Sequence, residues 1–416
     1  MKFNKQILAT RSMQLKRKKI KKRKQKKKPQ QPLQELPEEL ILEILHKLPV
    51  ESLLKFRRAC KNWNTLFRNP NFSDNNSNFL IIYKEKLYSI DYDSSALLSD
   101  IDNAPIKEIR YPVYCVADKL KILGSCNGLV CSRHCGGVVW NPTTNEYKVI
   151  PESSFVLPVR FWAMSFPGYI SFEYGFGYDA LNQDYEYVEI VGSSTRKESE
   201  IDVYSLKSDT WRRIQYTQYL VSNGYSVSAP GVFYNGALHW IAKCYSGNKR
   251  KVLIALNVGN ESVQEIPQPE NLGAGKFGAY RYVSVLDNCL GMLCSSHVDK
   301  DYGVRESWKK LYTIPTVIDV KSVRSVQYLR KMECLKNGEI LLTIKQHEVS
   351  NLAGEKALVL YNPKERTTRI VKHNKNNGFQ VETYVKNLVT LNSGTYLGDK
   401  KQEEKDMWKS MLCTMD

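Results

Sequence analysis

The sequence predicts an α+β, multidomain chain in which three short helices precede an all-β domain of the propeller type, with a charged tail at either end. Three observations predict it. Lys and Arg crowd the first 28 residues. Apolar residues recur at helical spacing from Leu36 to Phe72. Short apolar runs, paired around tight turns, then recur at intervals near 50 residues almost to the C-terminus.

The tail comes first. The chain has 416 residues and a formal charge of +18, from 61 Lys and Arg against 43 Asp and Glu. Fourteen of the cations and none of the acids lie in the first 28 positions, leaving 47 basic and 43 acidic side chains over the rest. The basic character therefore belongs to a tail, and the body is not a polycation built to wrap nucleic acid. Lys16, Arg17, Lys18, Lys19, Lys21, Lys22, Arg23 and Lys24 open a stretch of thirteen residues, ending at Lys28, that holds eleven cations. Such a run repels itself and buries no core, so residues 1–32 are expected to be a disordered basic tail and linker. The same density suits a nuclear import signal or, alternatively, a weak, non-specific grip on nucleic acid. No window approaches 18 consecutive apolar residues, so no membrane-spanning helix and no membrane partner is expected. There is no apolar core of a secretory signal, and ten scattered Cys read as reduced thiols, which suits nucleus and cytosol.

The helical segment spans residues 33–75. Pro37 suits a first helical turn, where its missing N–H costs nothing, and Glu38 and Glu39 favour the positive end of the helix dipole. Leu40, Ile41, Ile44, Leu45 and Leu48 then form one stripe, and Pro49 ends the helix. Glu51 to Cys60 carries a second helix with Leu53, Leu54 and Phe56 apolar, and Trp63, Leu66 and Phe67 mark a third. Three short helices are near the lower limit of what folds unaided, and leaving several Leu side chains wet would forfeit roughly 1.5–3 kcal/mol each. That argues for a partner protein over part of this surface.

Residues 76–398 read as strands, ahead of a charged tail at 399–416. One recurrent unit is a hairpin around Asn127-Gly128, Asn235-Gly236, Asn288 and Asn337-Gly338, where Asn and Gly tolerate positive φ. The intervals are 108, 53 and 49 residues, and a hairpin over Tyr174 to Val191 fills the double interval. The second unit has an apolar residue ten positions after its anchor: Trp140 to Ile150, Tyr204 to Ile214, Leu256 to Ile266, and Tyr361 to Val371. A period near 50 with four short strands is a propeller blade, and about six are expected, Leu80 to Asp91 contributing to the first. A β-sandwich with irregular hairpins is the competing arrangement.

Two stretches carry a family resemblance. Leu36-Pro-Glu-Glu-Leu at the start, Leu48-Pro-Val at the centre and Cys60-Lys-Asn-Trp63 at the end resemble the F-box, the three-helix motif that binds the Skp adaptor of SCF-type ubiquitin ligases. Gly124-Ser-Cys-Asn-Gly-Leu-Val130, Trp140-Asn-Pro-Thr143, Tyr174-Gly-Phe-Gly-Tyr-Asp179, Val203-Tyr-Ser205 and Gly231 to Trp240 resemble the F-box-associated, kelch-like domain of plant F-box proteins, as do Ser307-Trp308 and Leu311 to Pro315. Kelch repeats proper carry a double Gly in each blade, and here Gly136-Gly137 alone qualifies. The resemblance implies a non-catalytic substrate receptor of a cullin-RING ligase. Its Skp-type adaptor, and through it cullin, would dock on Leu36, Pro37, Leu40, Ile44, Leu48, Pro49, Leu53 and Leu54, with Pro37, Leu48 and Pro49 in the exposed subset. The target protein is unknown.

Other chemistry finds little support. Gly175-Phe-Gly-Tyr-Asp-Ala180 satisfies a dinucleotide fingerprint, but an alternating strand follows where a helix is required. Phe277 after Gly273-Ala-Gly-Lys276 stands where a phosphate loop needs Ser or Thr. Cys126, Cys131, His134 and Cys135 lack paired zinc spacing, so no metal or cofactor is expected. His239 reads as a strand histidine, with a place at a docked substrate as the alternative, and no Gly-x-Ser-x-Gly elbow anchors a triad. Trp140, Trp211, Trp240 and Trp308 are expected at corresponding blade positions, chiefly in the core. A β-propeller hydrolase and a nucleic-acid-associated binding protein are the rival functions.

Overall fold

The computed structural model describes residues 37–48, 50–56, 73–83, 86–91, 107–112, 120–133, 136–153, 170–221, 230–246, 250–268, 280–286, 288–295, 308, 326–335, 337–346, 356–374 and 380–396. The basic tail, Leu36, Pro49, the third helix, His134, Cys135, Gly273 to Lys276 and residues 399–416 lie outside that set. The chain divides into two units, Met1–Pro49 and Val50–Asp416. The first contains helix α1 (Glu38–His46). The second opens with α2 (Val50–Phe56) and continues as strands.

Those strands form antiparallel sheets in sequence order, which is the arrangement of propeller blades. Blade I contains β1 (Ser73–Tyr83), β2 (Lys86–Asp91) and β3 (Lys107–Ile109). Blade II contains β4 (Lys121–Cys126), β5 (Leu129–Arg133), β6 (Gly137–Trp140) and β7 (Tyr147–Ile150). Blade III contains β8 (Ile170–Asp179), β9 (Asp184–Ser193), β10 (Glu198–Ser205) and β11 (Thr210–Thr217). In blade IV the first strand is split into β12 (Tyr219–Leu220) and β13 (Val232–Tyr234), followed by β14 (Ala237–Cys244), β15 (Arg250–Asn257) and β16 (Val263–Ile266). Blade V shows β17 (Tyr280–Leu286) and β18 (Cys289–Ser295). Blade VI contains β19 (Val326–Cys334), β20 (Ile340–Gln346), β21 (Lys356–Asn362) and β22 (Thr367–Asn374). The last strand, β23 (Gln380–Asn387), pairs with β1, so blade I has the order β23-β1-β2-β3 and the two ends of the domain share one sheet. Five blades thus have four or more strands, and the sixth unit shows two among the described residues.

Both recurrent units of the sequence are hairpins. Asn127 (φ 48°) with Gly128 (φ 85°) and Asn235 (φ 48°) with Gly236 (φ 72°) occupy the left-handed region between β4 and β5 and between β13 and β14. The outer hairpins share one turn. Asn145, Asp209, Glu261 and Arg366, each five residues after its anchor, all have φ between 56° and 60°. The residue after the anchor caps the turn: Asn141, Asn257 and Asn362 accept backbone N–H bonds from Thr143 (2.8 Å), Gly259 (3.0 Å) and Lys364 (3.0 Å), and Ser205 accepts one from Ser208 (3.1 Å). A second repeat is an indole that donates to a proline carbonyl just after an outer strand: Trp211 Nε1 to Pro151 (2.9 Å) and Trp308 Nε1 to Pro267 (2.8 Å).

Blades bury both faces, so their middle strands read as nearly continuous apolar runs. In β21, Leu358 and Leu360 pack with Phe79 and Ile81 of blade I, while Ala357, Val359 and Tyr361 pack with Leu286 of blade V. Leu80 and Ile82 of β1 turn the other way, toward Val130, Trp140 and Tyr147 of blade II. Apolar clusters likewise join blades II with III and III with IV. The four tryptophans do not occupy corresponding positions: Trp140 is on the third strand of blade II, Trp240 on β14 beside the split first strand, and Trp211 on an outer strand. Trp140 and Trp240 are buried, whereas Trp211 and Trp308 are only partly so, their indole N–H groups donating to proline carbonyls.

Candidate functional site

The helical segment presents the surface on which a partner can act. Pro37 is the N-cap of α1, with φ −49° and ψ 142°, one position outside the expected first turn. Its carbonyl accepts from the N–H groups of Leu40 (3.0 Å) and Ile41 (3.1 Å), and no side chain caps this end. The helix finishes at His46 because Pro49 disfavours helical geometry in the residue before it; the N–H groups of Lys47 and Leu48 close the last turn on Ile44 and Leu45 (3.1 Å each). An exposed Lys47–Glu43 pair (2.9 Å) marks the solvent side.

Two environments result. Leu45 is 3% exposed, while Leu40 is 45% exposed and Ile44 51%, one helical turn apart on the same side. Pro37 is also exposed, and Leu48 is half-buried. In α2, Leu53 is buried, Leu54 half-buried and Phe56 exposed at 36%. Of the expected adaptor-binding residues, Pro37, Leu40 and Ile44 therefore form an exposed apolar stripe, and Leu53 serves the interior. Large aliphatic side chains placed in water at i, i+4 form the kind of surface a partner helix buries.

The β domain contains buried polar groups, and their geometry is structural. Arg133, 8% exposed, donates from Nη1 to Tyr187 Oη (2.9 Å) and lies 4.6 Å from the centre of the Tyr174 ring. Its Nη2 approaches Glu152 (3.6 Å) and Glu189 (3.7 Å). Glu146 is fully buried and accepts from Thr390 Oγ1 (2.7 Å) and from the backbone N–H groups of Leu391 (3.0 Å) and Ser393 (3.1 Å). Asn141 Nδ2 donates to the Asn387 and Val389 carbonyls (2.9 and 2.8 Å). Together they latch the chain after β23 onto blade II. Neither the latch nor the Arg133 cluster is legible in the sequence, because each joins residues far apart along the chain.

The other residues singled out by sequence also have structural positions. Cys126 and Cys131 are buried on facing strands of one hairpin, and burial pushes both thiols far above their ordinary value. Gly175 and Gly177 lie inside β8, where a Cβ would strike Leu238 and Phe233 respectively. His239 is 5% exposed, bonds to the Val232 carbonyl through Nδ1 (3.2 Å), and is pushed by burial below its ordinary pKa, toward the neutral form. Among the described residues, no group of three or more His, Cys, Asp or Glu is placed to hold a metal, and no helix is long and apolar enough to cross a membrane.

Comparison with known proteins assigns two stretches of the chain to families, the first of which spans the boundary between the two units at Pro49. Residues 33–75 match the family described as F-box domain, and residues 94–393 match the family described as F-box associated beta propeller domain. The F-box protein CPR1 of Arabidopsis thaliana is 28% identical over 352 residues, covering 74% of this chain and 79% of that protein. An F-box/kelch-repeat protein of the same plant is 25% identical over 316 residues, covering 68% and 80%.

Proposed function

The chain belongs to the F-box proteins that carry an F-box associated beta propeller domain, and from that premise we propose that it is the substrate-recognition subunit of an SCF-type cullin-RING ubiquitin ligase. The F-box docks a Skp-type adaptor, and through it cullin, while the propeller holds a target protein. The observation that carries the adaptor half is the apolar stripe of Pro37, Leu40 and Ile44, exposed on a short helix. The chain's contribution to rate is proximity: a target held beside a ubiquitin-charged enzyme reacts as if within one molecule, and the receptor needs no catalytic group.

Co-purification tests the proposal. Leu48→Arg and Ile44→Asp put a charge into a desolvated interface, at a cost of several kcal/mol. Each is expected to abolish capture of the Skp-type adaptor and cullin while the β-rich circular dichroism spectrum of the propeller survives. Capture at wild-type yield by both variants would sink the adaptor assignment. The basic tail is proposed to direct the chain to the nucleus. Deleting residues 1–32 should leave adaptor capture intact and shift a fluorescent fusion toward the cytosol; an unchanged distribution, with loss of weak salt-sensitive RNA binding instead, replaces import with a polyanion grip.

A further inference from the structure

The junction of blades III and IV changes character along its length. Over most of it apolar side chains meet, with Val188, Ile190 and Val203 of blade III packed among Leu238, Ile254 and Val258 of blade IV. Toward the tight turns the same face becomes charged. Glu186, near the start of β9, lies opposite Gly177 of β8, and a Cβ on Gly177 would strike Phe233 of blade IV, so this side of the sheet faces blade IV. Arg212 of β11 lies opposite Val203 on that side.

Arg212 spans the junction. Its Nη2 pairs with Glu186, and its Nε with Glu261 (2.5 Å) in the turn between β15 and β16 of blade IV. Asp179 of β8 comes to the same place: a Cβ on Gly259 of that turn would lie 3.1 Å from Asp179 Oδ1 and 3.0 Å from Leu181 Cδ1. Three carboxyl groups therefore share one guanidinium, and two of them, Asp179 and Glu186, are buried. Like charges so placed do not all ionise at once, and a single proton relieves them. The hydrogen bonds show where it sits. Asp179 accepts from the N–H groups of Leu181 (2.8 Å) and Asn182 (3.2 Å) and from Asn182 Nδ2 (2.5 Å), while Glu261 is partly exposed to water. Asp184, two residues before Glu186, is engaged by Ser205 Oγ and by the N–H groups of Tyr185 (2.7 Å) and Lys207 (3.0 Å), and Ser205 is the β10 residue opposite Glu186. Among the described residues, Glu186 has Arg212 as its only side-chain donor. Burial, opposed by Arg212 and reinforced by Asp179 and Glu261, raises its pKa to about 7.

We infer that this cluster is a proton-operated clasp: a proton on Glu186 keeps the outer turn of blade IV, residues 258–262, fastened to blade III, and loss of the proton releases the turn. With Glu186 neutral, the guanidinium is left to Glu261 and holds the turn. With Glu186 ionised, Arg212 is drawn to the buried carboxylate, and Glu261 is repelled by Glu186 and Asp179. Glu261 is the group that moves, because it alone of the three already meets water. The bonds from Gly259 and Asn260 to Asn257 Oδ1 (3.0 Å each) lie within the turn and do not tie it to blade III. The linkage is reciprocal: an opened turn removes the Glu261 charge and admits water, so Glu186 gives up its proton more readily. The closed form thus binds the proton more tightly, and closure weakens as pH rises through the value near 7. None of this depends on the receptor reading.

Hydrogen exchange of the full chain, read by mass spectrometry and corrected for the intrinsic pH dependence of exchange, tests the clasp. Between about pH 6 and about pH 8, either side of the Glu186 value, protection of residues 258–262 is expected to fall roughly three- to tenfold, the upper figure being the whole linkage. The matching turn of blade VI is the internal control. It has the same left-handed residue, Arg366 (φ 56°), and the same cap, Asn362 accepting from Lys364 (3.0 Å), but its acid, Glu365, is exposed, so its protection should not change. In Glu186→Gln, which stays neutral, protection of 258–262 should be the same at both pH values. Protection that does not change with pH in the wild type, or that falls equally in the two turns, overturns the inference, as does a fall retained in Glu186→Gln. The wild-type comparison of the two turns decides even if that variant does not fold.

Discussion

Blade III meets blade II with a face of stacked aromatic rings against a buried guanidinium, whereas blades IV and V meet through hydrogen bonds and share a small pocket. On that face of blade III, Phe176 stacks on Tyr185 (5.9 Å between centroids) and Tyr174 on Tyr187 (6.2 Å), and Arg133 of blade II donates to Tyr187 at this first junction. At the second, Arg281 reaches the Lys251 carbonyl and Gln268, and Trp308 reaches Pro267. Among the described residues no apolar cluster spans that second junction. Among the described residues, apolar packing is concentrated where strands are continuous and aromatic, and the split strand of blade IV lies beside the junction that lacks an apolar cluster.

Four substitutions break or sharpen this contrast. Arg133→Met should have the largest effect, about 3–5 kcal/mol, because Glu189, only 1% exposed, loses this cation in a water-poor setting. Denaturant midpoints measure it, and a loss under 1 kcal/mol would mean that the rings alone hold the junction. Glu146→Ala should follow at about 2–3 kcal/mol, since two backbone N–H groups lose a buried acceptor. Hydrogen exchange should rise first in residues 388–396; unchanged exchange there would show that the latch is held by other bonds.

Glu186, at the junction of blades III and IV, titrates between the two extremes. Burial pushes its carboxyl from the ordinary 4.5 up to about 7, even though Arg212 pairs with it and pulls the other way. Between pH 4.5 and 7 the folded chain keeps a proton that the unfolded chain releases, so the stabilisation present below pH 4.5 is lost as pH rises through 7. The loss should be about 1–2 kcal/mol, with the Arg212 end reached by water, and should shrink in Glu186→Gln. A wild-type slope retained in that variant would assign the titration elsewhere. Gln268→Ala should cost least, about 1 kcal/mol, because it removes one hydrogen bond to Arg281 and one to the Lys251 carbonyl at a part-buried edge. Equal losses for Gln268→Ala and Arg133→Met would abolish the contrast between the junctions.

Much of the fold was legible because its signals are local. An Asn-Gly turn with positive φ, an Asn that caps the turn following it, and an apolar residue ten positions after an anchor each depend on neighbours within one hairpin. The F-box helix was legible for the same reason: the start set by Pro37, the stop set by Pro49 and the spacing of Leu40, Ile44 and Leu45 are properties of one helix. Which of those residues face water was not, since the same stripe serves either a core or an interface. The sequence expectation that Trp140, Trp211, Trp240 and Trp308 are equivalent failed because indole rings recur here for two reasons, filling a core and donating to a proline carbonyl.

By itself, then, the sequence determined the hairpins, their order and the helical segment ahead of them, because period-2 and period-3.6 patterns and turn chemistry act over a few residues. Tertiary structure alone decided how the two ends of the domain are joined. The pairing of β23 with β1, the buried Glu146 holding residues 390–393, the guanidinium of Arg133 among blade III side chains, and the glycines of two blades clamping Trp240 all join residues remote along the chain. Such contacts are selected by burial and by the need of each buried polar group for a partner, and neither is specified until the blades are brought together.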